Sequence, residues 1–278
     1  MFFKTVLCVV GVHQSDRDVR RAMDLCAEVQ AHLSVLVVCL AAPPPVGAYA
    51  AVLSEPWLQE REKDNSELKQ RVEEISQLTA TAGTSCDVNG YYSEVVWADE
   101  AIGQRARYSD LTLIGAELLD DGDLRAAAIG GALFESARPV LLLPDGKIPT
   151  LRPKTVLVAW DSRLESARAV HEALPLLPGA ERVHVTLVDP HAGLDLSGPE
   201  PGTDVAAYLG RHGVKVAVDR LPRGGRAVAD VLAQHAMDLD ADLIVMGAYG
   251  HSRLRERLFG GVTRTMIEKA NLPVFMAH

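Results

Sequence analysis

Lys154-Thr155-Val156-Leu157, the start of an apolar run that reaches Trp160, repeats the Lys4-Thr5-Val6-Leu7 found near the beginning of the chain. Each copy opens a strand-like run followed by an amphipathic helical pattern. Two further landmarks recur in the same order. Ser109-Asp110-Leu111-Thr112-Leu113-Ile114-Gly115-Ala116 is matched by Ala241-Asp242-Leu243-Ile244-Val245-Met246-Gly247-Ala248, and Arg138-Pro139-Val140-Leu141 by Leu272-Pro273-Val274-Phe275. Landmarks repeated in the same order about half a chain apart read as a single unit written twice. Pro144 to Pro153, rich in Pro and turn residues, separates the copies. The sequence therefore predicts one domain at residues 1–145 and a second at 153–278.

Within the second copy, short apolar runs at Thr155–Ala159, Val183–Val188, Val214–Val218, Leu243–Met246 and Val274–Met276 alternate with helix-period segments. Strands that are apolar on both faces and separated by helices call for a parallel sheet covered on both sides. The expected fold class is α/β: two tandem doubly wound domains, each a five-stranded parallel sheet of order 3-2-1-4-5 flanked by helices. The first copy adds a Pro-rich loop at Ala41–Pro45 and a long polar helical stretch from about Glu55 to Thr79, read as surface helix.

Composition bounds the function. The 278 residues carry a net charge of -9, which lacks the basic excess that neutralises phosphate backbones, so nucleic acid is not expected as a partner. No stretch approaches the ~18 apolar residues of a membrane span. The opening Met1–Val12 run resembles a weak signal peptide, but its near copy at Lys154 identifies it as a strand. The four cysteines, Cys8, Cys26, Cys39 and Cys86, form no CxxC pair, and three lie in apolar runs. A reducing, cytoplasmic setting is expected.

In open α/β sheets ligands bind beyond the carboxyl ends of the strands, where the strand order switches direction. After the fourth strand of the second copy comes Gly247-Ala248-Tyr249-Gly250-His251-Ser252-Arg253-Leu254-Arg255-Glu256-Arg257-Leu258-Phe259-Gly260-Gly261-Val262-Thr263. Glycines let backbone approach a ligand, and N–H groups at a helix start attract anions. The same glycines could simply make turns. His251, Arg253, Arg255 and Arg257 give the loop a local positive charge in an acidic protein, suited to phosphate or to a solvated face. The first strand ends at Ala159-Trp160-Asp161, and Ser162 with Glu165 has the form of a capping box. Asp161 is either a turn residue or a carboxylate facing the same crevice, able to accept a hydrogen bond from a ribose or an adenine amine.

Gly247-x-x-Gly250, nine residues, then Gly260, together with the strand-tip Asp161, resembles the universal stress protein family in its ATP-binding branch. The likeness covers both copies, so the chain looks like a tandem member. It implies that Asp161, the end of the second strand at Leu187, Met246, Gly247, Gly250, Gly260, Gly261 and Val262 surround ATP, ADP or AMP, with magnesium accompanying the nucleotide. Ala159, His251, Arg253 and Thr263 complete the candidate site. Gly261 stands where the family usually has Ser or Thr, so a hydroxyl contact to phosphate is lost unless Thr263 supplies it. The resemblance also implies an intramolecular pseudo-dimer and admits a homodimer.

The first copy reads as degenerate. Gly11 stands where Asp161 does, and Gly115 to Asp123 lacks the second glycine and carries four acids. No Walker loop, dinucleotide fingerprint or nucleophile elbow is present. The histidines do not group at metal spacing; His184, on an apolar strand, reads as a packed histidine, and no metal is expected. The function inferred is an adenine-nucleotide-binding stress-response regulator, at most a slow ATPase and without assigned catalytic residues. The alternatives are a ligand-free interaction scaffold and an enzyme using the same crevice for nucleotide-dependent transfer.

Overall fold

The computed structural model describes residues 3–41, 55–83, 85–190, 200–250 and 261–278. The chain divides into two compact units, Phe3–Arg138 and Pro139–His278.

The first unit runs β1 (Thr5–Gly11), α1 (Arg17–Val29), β2 (His32–Ala41), α2 (Glu55–Thr81), β3 (Cys86–Glu94), α3 (Val95–Ala106), β4 (Leu111–Gly115), α4 (Ala116–Asp120) and α5 (Gly122–Gly130). Its strands are parallel in the order β3-β2-β1-β4. β1 and β4 are buried on both faces, as continuous Val/Leu/Ile runs require of a sheet covered by helices. α1 buries Val19, Ala22, Met23, Cys26 and Val29, the spacing of a single apolar stripe. The expected polar surface helix is α2, which buries only Leu68, Ile75 and Thr79. All four cysteines are free. Burial pushes the Cys26 thiol up to about 12 and that of Cys39 up to about 11, so both behave as protonated apolar groups. The Ala41–Pro45 loop lies, beyond Ala41 itself, outside the described residues.

The second unit runs β5 (Val140–Leu143), β6 (Thr155–Ala159), α6 (Leu164–Ala173), β7 (Arg182–Val188), α7 (Thr203–Arg211), β8 (Val216–Leu221), α8 (Val228–Asp238), β9 (Leu243–Gly247), α9 (Gly261–Lys269) and β10 (Val274–Ala277). Its order is β5-β10-β9-β6-β7-β8, parallel except that β5 runs antiparallel to β10. β5 belongs by sequence to the first copy and pairs antiparallel with β10, the last strand of the second. The five expected strands of each copy are thus shared out as four and six between the two compact units. The sheet remains dominated by parallel pairs, with flanking helices.

The repeated landmarks are the two sides of one contact. Asp110 Oδ2 accepts the N–H groups of Lys4 (2.7 Å) and Thr5 (3.0 Å), and Asp242 Oδ2 accepts those of Lys154 (2.8 Å) and Thr155 (3.0 Å). The N–H groups of Asp110 and Asp242 in turn donate to the carbonyls of Thr5 and Thr155, each at 2.8 Å. Each Lys-Thr and each Asp fixes the register between the first and fourth strands of its copy.

β8 begins two residues later than its apolar run suggests. Gly213 takes φ 79°, its N–H donates to the Gly210 carbonyl, and the Val214 N–H donates to that of Leu209. This is a Schellman close to α7, so Val214 packs as part of the helix cap and not as strand. No described helix is long and apolar enough to cross a membrane.

Candidate functional site

The site is built where β6 and β9 end side by side. Beyond Ala159 the Trp160 N–H donates to the Thr186 carbonyl at 3.0 Å, tying the strand tip to β7. Asp161 Oδ1 then accepts the Arg163 N–H (3.1 Å), with Ser162 between them at φ 62°. That tight turn puts Arg163, not Ser162, at the N-cap of α6, and no side chain caps the helix. The capping box expected from Ser162 and Glu165 therefore does not form, because the Asp161 carboxylate closes the turn first.

Gly247 ends β9 directly against the first turn of α6. A Cβ there would lie 2.6 Å from both the Glu165 carbonyl carbon and the Ser166 nitrogen. Only glycine lets this strand and helix approach so closely. The chain continues through buried Ala248, whose N–H donates to the Ala277 carbonyl (2.8 Å), and Tyr249 in the left-handed region at φ 59°. The Tyr249 N–H donates to Thr263 Oγ1 at 3.2 Å, which joins the loop to the first turn of α9. Thr263 is buried, so the hydroxyl that was to replace the missing Ser or Thr at position 261 accepts from the protein's own backbone while keeping its proton to donate.

These segments line a cleft of about 200 Å³, more than ten times the ~10–15 Å³ that one water needs by the same measure, so it has room for an organic ligand. Ala159, Asp161, Met246, Gly247, Gly250, Gly261, Val262 and Thr263 all line it. Leu187 does not. It is buried on the other face of β7, where its Cδ1 would meet a Cβ on Gly202 at 2.9 Å. Strand alternation gives the cleft Thr186 and Val188 instead. His251, Arg253 and Gly260 lie outside the described residues.

The lining divides by chemistry. Val188, Met246 and the α8 residues Val228 and Leu232 form an apolar side; Asp161, Arg163 and Glu165 form a polar rim; the start of α9 contributes Gly261 to Thr263. The Arg163 Nε lies 3.7 Å from Asp161 Oδ2, and both side chains are more than half exposed, so this ion pair adds little stability and both charges face the opening. An apolar wall suits a flat ring, and helix N–H groups at the other side suit an anion. Sequence reading missed Val228 and Leu232, whose i, i+4 spacing marks one helix face without saying what that face meets.

In the first unit the corresponding positions are covered by the chain itself. The Gly11 N–H donates to Gln14 Oε1 (2.9 Å), and a Cβ on Gly11 would meet Leu124 Cδ2 at 3.3 Å. The space beside Gly115 holds the carboxyl of Asp18, which is buried and accepts the Glu117 N–H at 3.0 Å. Burial raises the pKa of Asp18 despite that bond. Crowding by Asp18, Gln14 and Leu124 thus adds to the acidity of the Gly115–Asp123 segment.

Outside the cleft, His184 is more than a packed histidine. Its Nδ1 lies 2.8 Å from Asp219 Oδ2, which also meets Nε2 of His235 at 2.8 Å. Their separation in sequence hides the grouping from any spacing rule.

Residues 153–278 match the model of the universal stress protein family. Over the whole chain the fold is similar to that of a universal stress protein from Archaeoglobus fulgidus DSM 4304, at 17% identity and a TM-score of 0.63, covering 98% of this chain and 95% of that one. A functionally unknown protein from Pseudomonas aeruginosa PAO1 is similar over 99% of this chain and 92% of its own, at 16% identity and a TM-score of 0.54. No curated protein matches.

Proposed function

We propose that the cleft of the second unit binds a single adenine nucleotide, ATP, ADP or AMP, with magnesium carried on the phosphates. The protein would act as a tandem universal stress protein of the cytoplasm, its first copy a degenerate partner in an intramolecular pseudo-dimer. The observation that carries this reading is convergence: eight residues chosen from sequence, spread from Ala159 to Thr263, line one cleft. Val188, Val228, Leu232 and Met246 suit the adenine ring. Asp161 suits a ribose hydroxyl or the adenine amine, and the α9 N–H groups with Gly250 suit phosphate. ATP or ADP would bring its own phosphoanhydride bonds, and AMP none; the chain's residues bind and orient the nucleotide.

Among the described residues no histidine lines the cleft, and its two carboxylates, Asp161 beside Arg163 and Glu165 at the start of α6, both sit on the polar rim. Turnover is therefore expected far below the ~10 per second of a typical enzyme. The direct test is native mass spectrometry of protein purified without added ligand, together with ATPase assay. Copurifying AMP, ADP or ATP supports the reading. Steady hydrolysis above about one per second, abolished by Gly250→Asp, would replace the regulator with an enzyme.

A further inference from the structure

Three elements of the second unit bring a set of metal-ligating side chains to one point. His184 stands on β7, Asp219 on β8 diagonally across the register pair Thr186 and Asp219, and His235 on α8. His184 Nδ1, Asp219 Oδ2 and His235 Nε2 all lie within 4.8 Å of one another, and each nitrogen is 2.8 Å from the same carboxylate oxygen. The imidazole rings stand edge to face at 6.4 Å, so they address the oxygen from different directions. The side chains are 14%, 25% and 18% exposed, so the cluster is shielded but not sealed.

A purely structural hydrogen-bond triad would be expected to satisfy its ring nitrogens. Nε2 of His184, the ring nitrogen turned away from the shared oxygen, is buried without a partner, so the cluster is not a fully satisfied hydrogen-bond network, and that nitrogen is not one of the three ligand atoms. The donor set is two imidazoles and one carboxylate, which suits borderline divalent ions, and zinc in particular takes such sets with a water in the fourth position. With ligand bonds of ~2.0–2.2 Å, tetrahedral donors sit ~3.3 Å apart. The 2.8 Å contacts need open by only ~0.5 Å to admit the ion.

We propose that His184, Asp219 and His235 form a zinc-type divalent metal site that clamps α8 to β7 and β8. The site is separate from the nucleotide cleft but shares its wall. Val228 and Leu232 precede His235 along one face of α8, and Thr186 and Val188 follow His184 on one face of β7. A bound ion would therefore stiffen the apolar side of the cleft. The assignment does not depend on what the cleft binds.

The test uses the full chain stripped with chelator. Zinc is titrated against a chromophoric competitor, and cobalt is added separately to read the visible bands of a four-coordinate site. The expected result is one tight zinc per chain, tetrahedral cobalt bands, and a higher melting temperature with zinc. His235→Ala and Asp219→Asn, checked for folding by circular dichroism, should each weaken zinc by about a hundredfold or more, at least the loss seen when a supporting residue alone is removed. Should a variant fail to fold, the wild-type competition titration and cobalt spectrum still decide. Zinc binding no tighter than to free imidazole, octahedral cobalt, or affinity unchanged in a folded His235→Ala would overturn the assignment and leave a hydrogen-bonded cluster only.

Discussion

Gly247→Ala should destabilise the second unit even with no ligand present. The new methyl would sit 2.6 Å from the Glu165 carbonyl carbon and the Ser166 nitrogen, both backbone atoms of the first turn of α6. Carbon contacts settle at ~3.5–4.0 Å, so the turn must recede by about 1 Å. It cannot yield as a flexible side chain could, because α6 is also seated through buried Ala169, Val170 and Ala173. Overpacking of this kind costs ~1–3 kcal/mol. At ~2–4 °C per kcal/mol for a unit of this size, melting should fall by about 2–12 °C. Gly261→Ala is the control: a Cβ there meets nothing within 4 Å among the described residues, and the change should stay within ~0.5 kcal/mol. Calorimetry and urea denaturation of both variants, without nucleotide, measure the difference. A Gly247→Ala protein that melts with the wild type, or a Gly261→Ala protein that loses as much, would refute the close approach described for β9 and α6.

Three further outcomes follow from the same geometry. Burial alone raises the pKa of Asp242, but the Thr155 N–H, Lys147 and the Lys154 N–H together hold it below the usual carboxylate range. Its stabilisation should be present above the unfolded pKa of ~3.9 and fade as pH falls through the lowered folded value. Asp242→Asn should flatten that loss in urea melts between about pH 2 and 7. Gly261→Ser meets none of the described residues with its new Cβ and restores a hydroxyl beside the α9 start, so ATP should bind roughly tenfold tighter at unchanged stability; equal affinity in calorimetry would remove phosphate from that end of the cleft. Leu187→Ala should cost ~2–5 kcal/mol as a core truncation, while the folded variant keeps its nucleotide affinity; a selective loss of binding would return Leu187 to the site.

Legibility followed how locally each feature is encoded. The repeated Lys-Thr and Asp landmarks survive because each pair makes a backbone-register contact in its own copy, so the repeat could be read without knowing the partners touched. The apolar runs of β6 and β9 announced a doubly covered sheet for the same reason: all but the last residue of each is buried whichever way it faces. Errors arose where two local signals competed. Val214 looked like strand but closes α7 through Gly213, and Ser162 looked like a cap but yields to the Asp161 turn. Leu187 was one residue out, and in a strand one residue is the wrong face. The antiparallel partner of β5, the apolar wall of α8 and the His184, Asp219 and His235 cluster depend on contacts between distant segments, which spacing along the chain does not carry.

The central claim is one nucleotide site per chain, in the second copy. Isothermal titration of ATP, ADP and AMP into wild type, Asp161→Ala, Gly250→Asp and Gly11→Ala tests it most directly. The expected result is a stoichiometry of one, weakened binding in Asp161→Ala, none in Gly250→Asp, and wild-type affinity in Gly11→Ala. Two equivalent sites per chain, or binding that survives Gly250→Asp, would contradict it.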